Sequence, residues 1–231
     1  MNTDLLDLLR GADTPTVCNA IEVVEGKRGF SRFTRGTMIC TAPGEPPIVG
    51  YAVTAKIAAV SPPSEPADVI RVRRMAYYRA MHDAPKPSVA VIEDADYPDC
   101  IGAYWGEINT NIHKGFGMSG AVTNGVVRDL GDLPSGFPVV AGSIGPSHGF
   151  VHVVSLGEPV TIFGLTVNQG DLVHADRHGA LVVPREVVTG LAAAIGKLRE
   201  TERLVLDPAR APGFNFDAFE KAWTAFEKSR T

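Results

Sequence analysis

Between residues 88 and 123 the chain passes from one short apolar run, Ser88-Val-Ala-Val-Ile, through a helical stretch to a second run, Ala121-Val-Thr. Two strands joined through a helix by short connections make a βαβ unit, whose strands lie parallel in one sheet. That feature commits the chain to an α/β architecture. It also means that the loops leaving both strands emerge on one edge of the sheet, where α/β proteins tend to bind ligands.

The remaining patterning is consistent with such a core. Leu5, Leu6, Leu8 and Leu9 form a short apolar helix, and Thr14-Pro15 places a capping residue and a first-turn proline before a second helix that should end near Gly26. Residues 29–47 read as loop and short strand, and 49–55 alternate as a strand does. After Pro62-Pro63, the spacing of Val69, Val72, Met75, Ala76 and Ala80 predicts a helix over 66–81 with this stripe as its apolar face and arginines opposite. A further helix is expected from about Gly102 to Lys114. From Phe137 to Pro184 short apolar runs separated by Gly and Pro turns predict an all-β stretch, beginning at 138, 151, 159, 171 and 180. Val187, Val188, Leu191, Ile195 and Leu198 then form one helical stripe. Phe216, Phe219, Trp223 and Phe226 form another behind a break at Pro208 and Pro212. The division expected is one α/β domain over 1–206 with a C-terminal helical extension over 207–231.

Charge and cysteine usage exclude several classes of function. Lys and Arg total 22 against 26 Asp and Glu, a formal charge of -4 with no basic block, so nucleic acid is not an expected ligand. Cys18, Cys40 and Cys100 are far apart and lack CxxC pairing, which argues against a disulfide framework or a zinc ribbon and for reduced thiols. No stretch approaches the ~18 apolar residues that a membrane span requires, and the acidic N-terminus lacks the positive flank of a leader. A cytoplasmic location is expected.

Candidate chemistry concentrates between Ala103 and Asp132. The loop after the first strand leads to Trp105-Gly106-Glu107 and the turn after the second leads to Arg128-Asp129, so these residues should meet. A helix starting near Gly106 aims its unpaired N–H groups at the same edge and makes an anion site. Arginine binds a carboxylate there bidentately. Asp129 and Glu107 are hard oxygen ligands that suit Mg²⁺ or Mn²⁺ rather than zinc.

Gly106-Glu107, followed by Arg128-Asp129 and the acidic Asp132, resembles the motif of the superfamily of the regulator of ribonuclease activity A. Its enzymatic members are 4-hydroxy-4-methyl-2-oxoglutarate/4-carboxy-4-hydroxy-2-oxoadipate aldolases. The similarity extends through GAVTNGVVRD at 120–129, Phe137-Pro138-Val139 and VNQGDLVHADRHGALVVP at 167–184. The resemblance implies a layered αββα fold, assembled as a homotrimer or homohexamer. It implies a divalent metal, Mg²⁺ or Mn²⁺, held by Asp129 with Glu107 and Asp132 in its surroundings. Arg128 would grip the carboxylate of a small 2-oxo acid, with Gly106 and the backbone N–H groups of Ile108 and Asn109 alongside. It further implies retro-aldol release of pyruvate, with oxaloacetate decarboxylation through the same enolate, and an acidic residue supplied by a neighbour's C-terminal region, here Glu220 or Glu227. The alternative within the superfamily is a non-enzymatic, protein-binding regulator of an endoribonuclease; the retained Glu107, Arg128 and Asp129 favour the enzyme. The chain departs from the pattern in having Glu107 where Asp is common, Asn109 where Leu or Met is frequent, and Asn19 at an early Asp.

Other features point to structural roles. Gly115-Phe-Gly117-Met-Ser-Gly120 matches GxGxxG in letters but leaves a helix for a strand, the reverse of dinucleotide binding. His148 and His152 fall on loop or strand, where a spacing of four does not converge on a metal. His113 is read as capping polar surface beside its helix. Asp171, His174, Asp176 and His178 belong to a hairpin-like stretch with turn and cross-strand roles. Nothing near Lys56 or Lys114 marks a Schiff-base lysine.

Overall fold

The computed structural model describes residues 3–229. The elements in chain order are α1 (Thr3–Arg10), α2 (Thr14–Glu25), β1 (Ile39–Cys40), β2 (Ile48–Ala58), α3 (Ala67–Asp83), β3 (Ser88–Asp94), β4 (Ala103–Trp105) and α4 (Glu107–Gly115). There follow β5 (Ala121–Thr123), β6 (Val126–Val127), β7 (Val139–Ala141), β8 (Ser143–Ile144), β9 (His152–Leu156), β10 (Val160–Ile162), β11 (Leu165–Val167), β12 (Leu172–Asp176) and β13 (Gly179–Val183). A 3-10 turn (Arg185–Val187) precedes α5 (Leu191–Arg210) and α6 (Phe216–Ser229). Two compact units result: residues up to 14 with Ser31–Arg185, and Pro15–Phe30 with residues from 186 on.

The first unit is built on a sheet of order β1-β7-β5-β3-β2-β12-β13, with β9 pairing the second half of β2. Strands β2, β3, β5 and β7 are mutually parallel, as the βαβ pattern requires, and β12, β13, β1 and β9 add antiparallel pairs. The alternation of β3 explains why residues 89–92 are apolar without a break. Ala90 and Ile92 join a cluster with Tyr77, Met81, Trp105 and Phe137, whereas Val89 and Val91 join one with Ile162, Leu165 and Val167. Both faces of that stretch are buried, so a polar side chain within 89–92 would be costly. The fold is a mixed α/β one with C-terminal helices. Among the described residues no helix is long and apolar enough to cross a membrane.

Several expectations are corrected. The segment from Gly102 is not helical from its start: Ala103–Trp105 is β4, all of it buried, and α4 begins at Glu107. β4 pairs in parallel with β6, and β6 with β8, in a second small sheet. Arg128-Asp129 therefore leaves β6 rather than a turn after β5. On α3 the buried face is Ile70, Tyr77 and Met81, while Val69, Val72 and Met75 of the expected apolar stripe are exposed. Thr14 does not cap α2 with its hydroxyl, which meets His174 Nδ1 at 3.1 Å; the Asp176 carboxylate accepts the Thr14 N–H instead, at 2.9 Å.

In the second unit, α5 starts only at Leu191, after a turn closed by Gly190 N–H to Val187 O, so Val187 and Val188 lie ahead of the helix. It runs through Pro208, whose missing N–H costs a single bond so near the helix end. The break falls at 211–215, between α5 and α6. On α6 the rings of Phe216, Phe219, Trp223 and Phe226 follow one another with centroids 5.8, 5.7 and 5.5 Å apart.

Candidate active site

The parallel pairing of β4 with β6 brings the two motif stretches together. Arg128 N–H donates to Trp105 O at 2.8 Å, which extends the ladder by one residue and sets Gly106-Glu107 beside Arg128-Asp129. Gly106 is the N-cap of α4 and has no side chain to serve that end. The carboxylate of Asp129 does so from the other strand: its Oδ2 accepts the Glu107 N–H at 3.1 Å. Asp129 has φ 56°, in the left-handed region that Asp and Asn tolerate better than most residues. This backbone turn aims its carboxylate back at the helix, and Asp132 N–H closes the turn on Asp129 O at 2.9 Å.

Arg128 lies over the same corner. Its Nε stands 3.4 Å from Asp129 Oδ2, and the two side chains are 32% and 34% exposed. A Cβ at position 106 would come within 2.5 Å of Asp129 Oδ2 and 3.0 Å of Arg128 Cγ and Nε, so any side chain there would displace the acid and the guanidinium. In an α-helix the first N–H groups have no carbonyl one turn back. Thr110 N–H reaches Gly106 O and Glu107 N–H is taken by Asp129, while the N–H groups of Ile108 and Asn109 belong to the first turn, where no carbonyl of the helix itself can receive them. The Ile108 side chain is 71% exposed, and Glu107 and Asp132 are also exposed.

Beneath the helix lies a buried polar group that the sequence did not announce. Tyr78 Oη donates to Asn109 Oδ1 at 2.7 Å, and Asn109 Nδ2 donates to Tyr104 O at 2.6 Å. His113, expected at a polar surface, is fully buried, with Nδ1 2.6 Å from Asn109 O and Nε2 2.7 Å from Tyr77 Oη. A carbonyl only accepts, so Nδ1 carries the proton and neutral Nε2 accepts from Tyr77. Burial pulls the His113 pKa down to about 4 and pushes those of Tyr77 and Tyr104 up. Elsewhere Asp94 is buried at the end of β3 with Oδ2 lacking a hydrogen bond, and burial raises its pKa. The neighbouring Cys100 thiol is pushed up to about 12 by burial and by Asp94, so it is no nucleophile.

The residues fit one kind of metal and not another. Among the described residues no three His, Cys, Asp or Glu side chains lie close enough to share a cation, so Glu107, Asp129 and Asp132 do not form a ligand cluster. A closed zinc-type shell is thus not built here. Asp129 offers a carboxylate at the corner, its Oδ2 engaged by the Glu107 N–H, and the exposed Glu107 carboxylate stands at the start of the same helix. That suits Mg²⁺ or Mn²⁺, since Mg²⁺ keeps most of its waters and needs one or two protein carboxylates.

The other sequence candidates occupy structural positions. His148 and His152 each bond a nearby carbonyl, of Gly149 and Phe150. His174 is buried against Thr14, Leu9 O and Ala12 O, and Asp176 caps α2. Lys56 pairs with Glu93 at 3.3 Å. The GxGxxG letters lie between α4 and β5, as expected. Glu227 accepts a hydrogen bond from Trp223 Nε1 at 3.0 Å.

Comparison with known proteins agrees with this architecture. The family described as RraA-like, Aldolase/RraA, matches residues 14–182. The chain belongs to that family. It is 30% identical over 155 residues to the protein DlpA of Legionella pneumophila, and 26% identical over 125 residues to a protein of Halalkalibacterium halodurans provisionally named 4-hydroxy-4-methyl-2-oxoglutarate aldolase. These matches cover 63% and 53% of this chain but only 25% and 59% of the relatives, so the chain spans less than two thirds of either one's length. Among solved structures, a protein of Pseudomonas syringae pv. tomato aligns over 100% of this chain and 98% of its own, with TM-score 0.68 and 21% identity. Streptomyces coelicolor RraAS2, described as an unusual member of the RNase ES inhibitor RraA family, covers 88% and 96% with TM-score 0.67 and 21% identity. At such identities these likenesses establish the RraA-like fold.

Proposed function

We propose that this RraA-like protein is a divalent-metal-dependent lyase that cleaves 4-hydroxy-2-oxo acids to release pyruvate. The observation that carries the reading is the docking of Arg128 and Asp129 on the head of α4, which sets a guanidinium, two free N–H groups and one carboxylate around a single exposed corner. Cation and anion sites side by side are what a 2-oxo acid needs, because its carboxylate must be neutralised while its oxo group is polarised. Asp129 would hold the cation, Mg²⁺ or Mn²⁺, with water completing its shell.

The protein groups divide the work. Arg128 binds the C1 carboxylate with its outer nitrogens, and the Ile108 and Asn109 N–H groups share that charge. A bound divalent cation supplies Lewis-acid polarisation of the 2-oxo group. Glu107, exposed at the first position of α4, orients a water that takes the proton of the C4 hydroxyl. The C3–C4 bond then breaks: C4 becomes a carbonyl carbon, the bonding pair forms the pyruvate enolate, and protonation at C3 completes pyruvate. Decarboxylation of oxaloacetate passes through the same enolate, so one site serves both reactions.

The test is pyruvate release from a panel of 4-hydroxy-2-oxo acids and oxaloacetate, with and without EDTA. Loss of activity in chelator and recovery with Mg²⁺ or Mn²⁺ are expected. Full activity in excess EDTA, or borohydride trapping of substrate on Lys56 or Lys114, would overturn the assignment in favour of Schiff-base chemistry. A protein that turns over none of these acids but binds an endoribonuclease would instead be a regulator.

A further inference from the structure

Helix α4 carries the anion-binding end of the proposed site, yet it is seated without an apolar stripe. Its fully buried side chains are Thr110 and His113, both polar, while Ile108 is 71% exposed. What fixes its orientation is the hydrogen-bonded group beneath it. Asn109 is pinned from two sides, accepting from Tyr78 of α3 and donating to Tyr104 O of β4, and its own carbonyl receives His113 Nδ1–H. These bonds tie the first turn of α4 to the strand that precedes it and to α3 across the core.

We infer that Tyr78 and Asn109 are positioning residues for the substrate carboxylate: they set the direction of the free Ile108 and Asn109 N–H groups without touching the ligand with their side chains. The inference rests on the functional reading above. Its physical basis is the sensitivity of a helix-end anion site to direction, since an N–H turned away from its acceptor loses most of its bond. Asn109 is in the first turn, where a small rotation redirects both donors together. A leucine there would fill similar space but make neither bond.

Tyr78→Phe and Asn109→Leu test this in the full chain, with Arg128→Ala as comparator. Pyruvate binding is measured by calorimetry, and KM and kcat by pyruvate release. Tyr78→Phe should raise Kd and KM by roughly three- to tenfold, the size of a neutral hydrogen bond, with kcat at saturation within about twofold of wild type, and Asn109→Leu should raise Kd and KM at least as much. A purely structural role would do the reverse, lowering kcat with the folded fraction and leaving the KM of the surviving molecules unchanged. Should Asn109→Leu fail to fold, Tyr78→Phe carries the test, since it deletes a single oxygen. Unchanged Kd and KM in Tyr78→Phe, while Arg128→Ala weakens binding, would overturn this inference and leave the functional reading standing. Equal or absent pyruvate binding by wild type and Arg128→Ala would remove the functional reading, and this inference with it.

Discussion

Asp129 caps a helix that it does not belong to: its Oδ2 accepts the N–H of Glu107, 22 residues earlier, at 3.1 Å. The carboxylate takes the place of a capping side chain that Gly106 cannot provide, and lies where the helix dipole favours negative charge. The same residue is therefore both a structural element of the corner and, in the reading proposed here, the anchor of the cation. The two roles use different properties, since capping needs an acceptor oxygen and cation binding needs the charge.

Substitution separates them. Asp129→Asn retains an acceptor and tolerates the left-handed backbone, so stability should change by less than ~1 kcal/mol, whereas Asp129→Ala should lose about that much with the cap. Both should lose metal affinity and pyruvate release. Thermal unfolding alongside a metal titration checks this; an Asp129→Asn variant with wild-type turnover in limiting Mg²⁺ would contradict the anchor role.

Gly106→Ala should damage the site more than the fold. The added methyl would sit 2.5 Å from Asp129 Oδ2 and 3.0 Å from Arg128 Nε, so the acid and the guanidinium must both move. Displacements of this kind can cost on the order of a hundredfold in rate. Steady-state kinetics and circular dichroism on one preparation should show a large loss of kcat/KM with an intact spectrum.

Much of this arrangement was legible in the chain, and the exceptions have physical reasons. The strand pair 88–92 and 121–123 and the 172–183 hairpin announced themselves through apolar runs and turn residues. β4 did not, because Ala103-Tyr-Trp is buried throughout and a three-residue apolar run carries no period that separates strand from helix. α3 misled for a different reason: it has apolar residues on two faces, and the sheet takes Ile70, Tyr77 and Met81 rather than the more regular Val69, Val72 and Met75. The meeting of Gly106-Glu107 with Arg128-Asp129 followed from parallel strands, although the strands that deliver them are β4 and β6. The Asn109 clamp was invisible, since its partners Tyr78 and Tyr104 are distant or backbone and leave no local signature.

The exposed faces lead to a prediction about assembly. Val72 is 67% exposed, Met75 45%, Phe216 71% and Trp223 42%, more apolar surface than isolated side chains account for. Light scattering at micromolar concentration should report a trimer or hexamer. Val72→Glu with Met75→Glu should shift the protein toward smaller species if the α3 face is the contact; a monomeric wild type would exclude the assembly.

The buried histidines set how stability depends on pH. His113 is held neutral between Asn109 O and Tyr77 Oη, its pKa pulled from 6.5 to about 4, and His174 is likewise depressed by burial among Leu9 O, Ala12 O and Thr14. Below pH 6.5 the unfolded chain takes up protons that the folded chain refuses, so the stability present above 6.5 is lost as pH falls toward 4. For His113 the loss is on the order of 3 kcal/mol across that window. Asp94 acts in the opposite sense, because its raised pKa favours the folded state at low pH and costs stability as the carboxyl ionises. Urea unfolding at several pH values should therefore show stability falling between about pH 6.5 and 4. His113→Gln should start less stable at pH 7 but fall less steeply, and Asp94→Asn should steepen the fall. A His113→Gln profile parallel to wild type would show that the folded protein accepts a proton on His113 as readily as the unfolded chain does, with Nε2–H then donating to Tyr77 Oη while Nδ1–H still donates to Asn109 O.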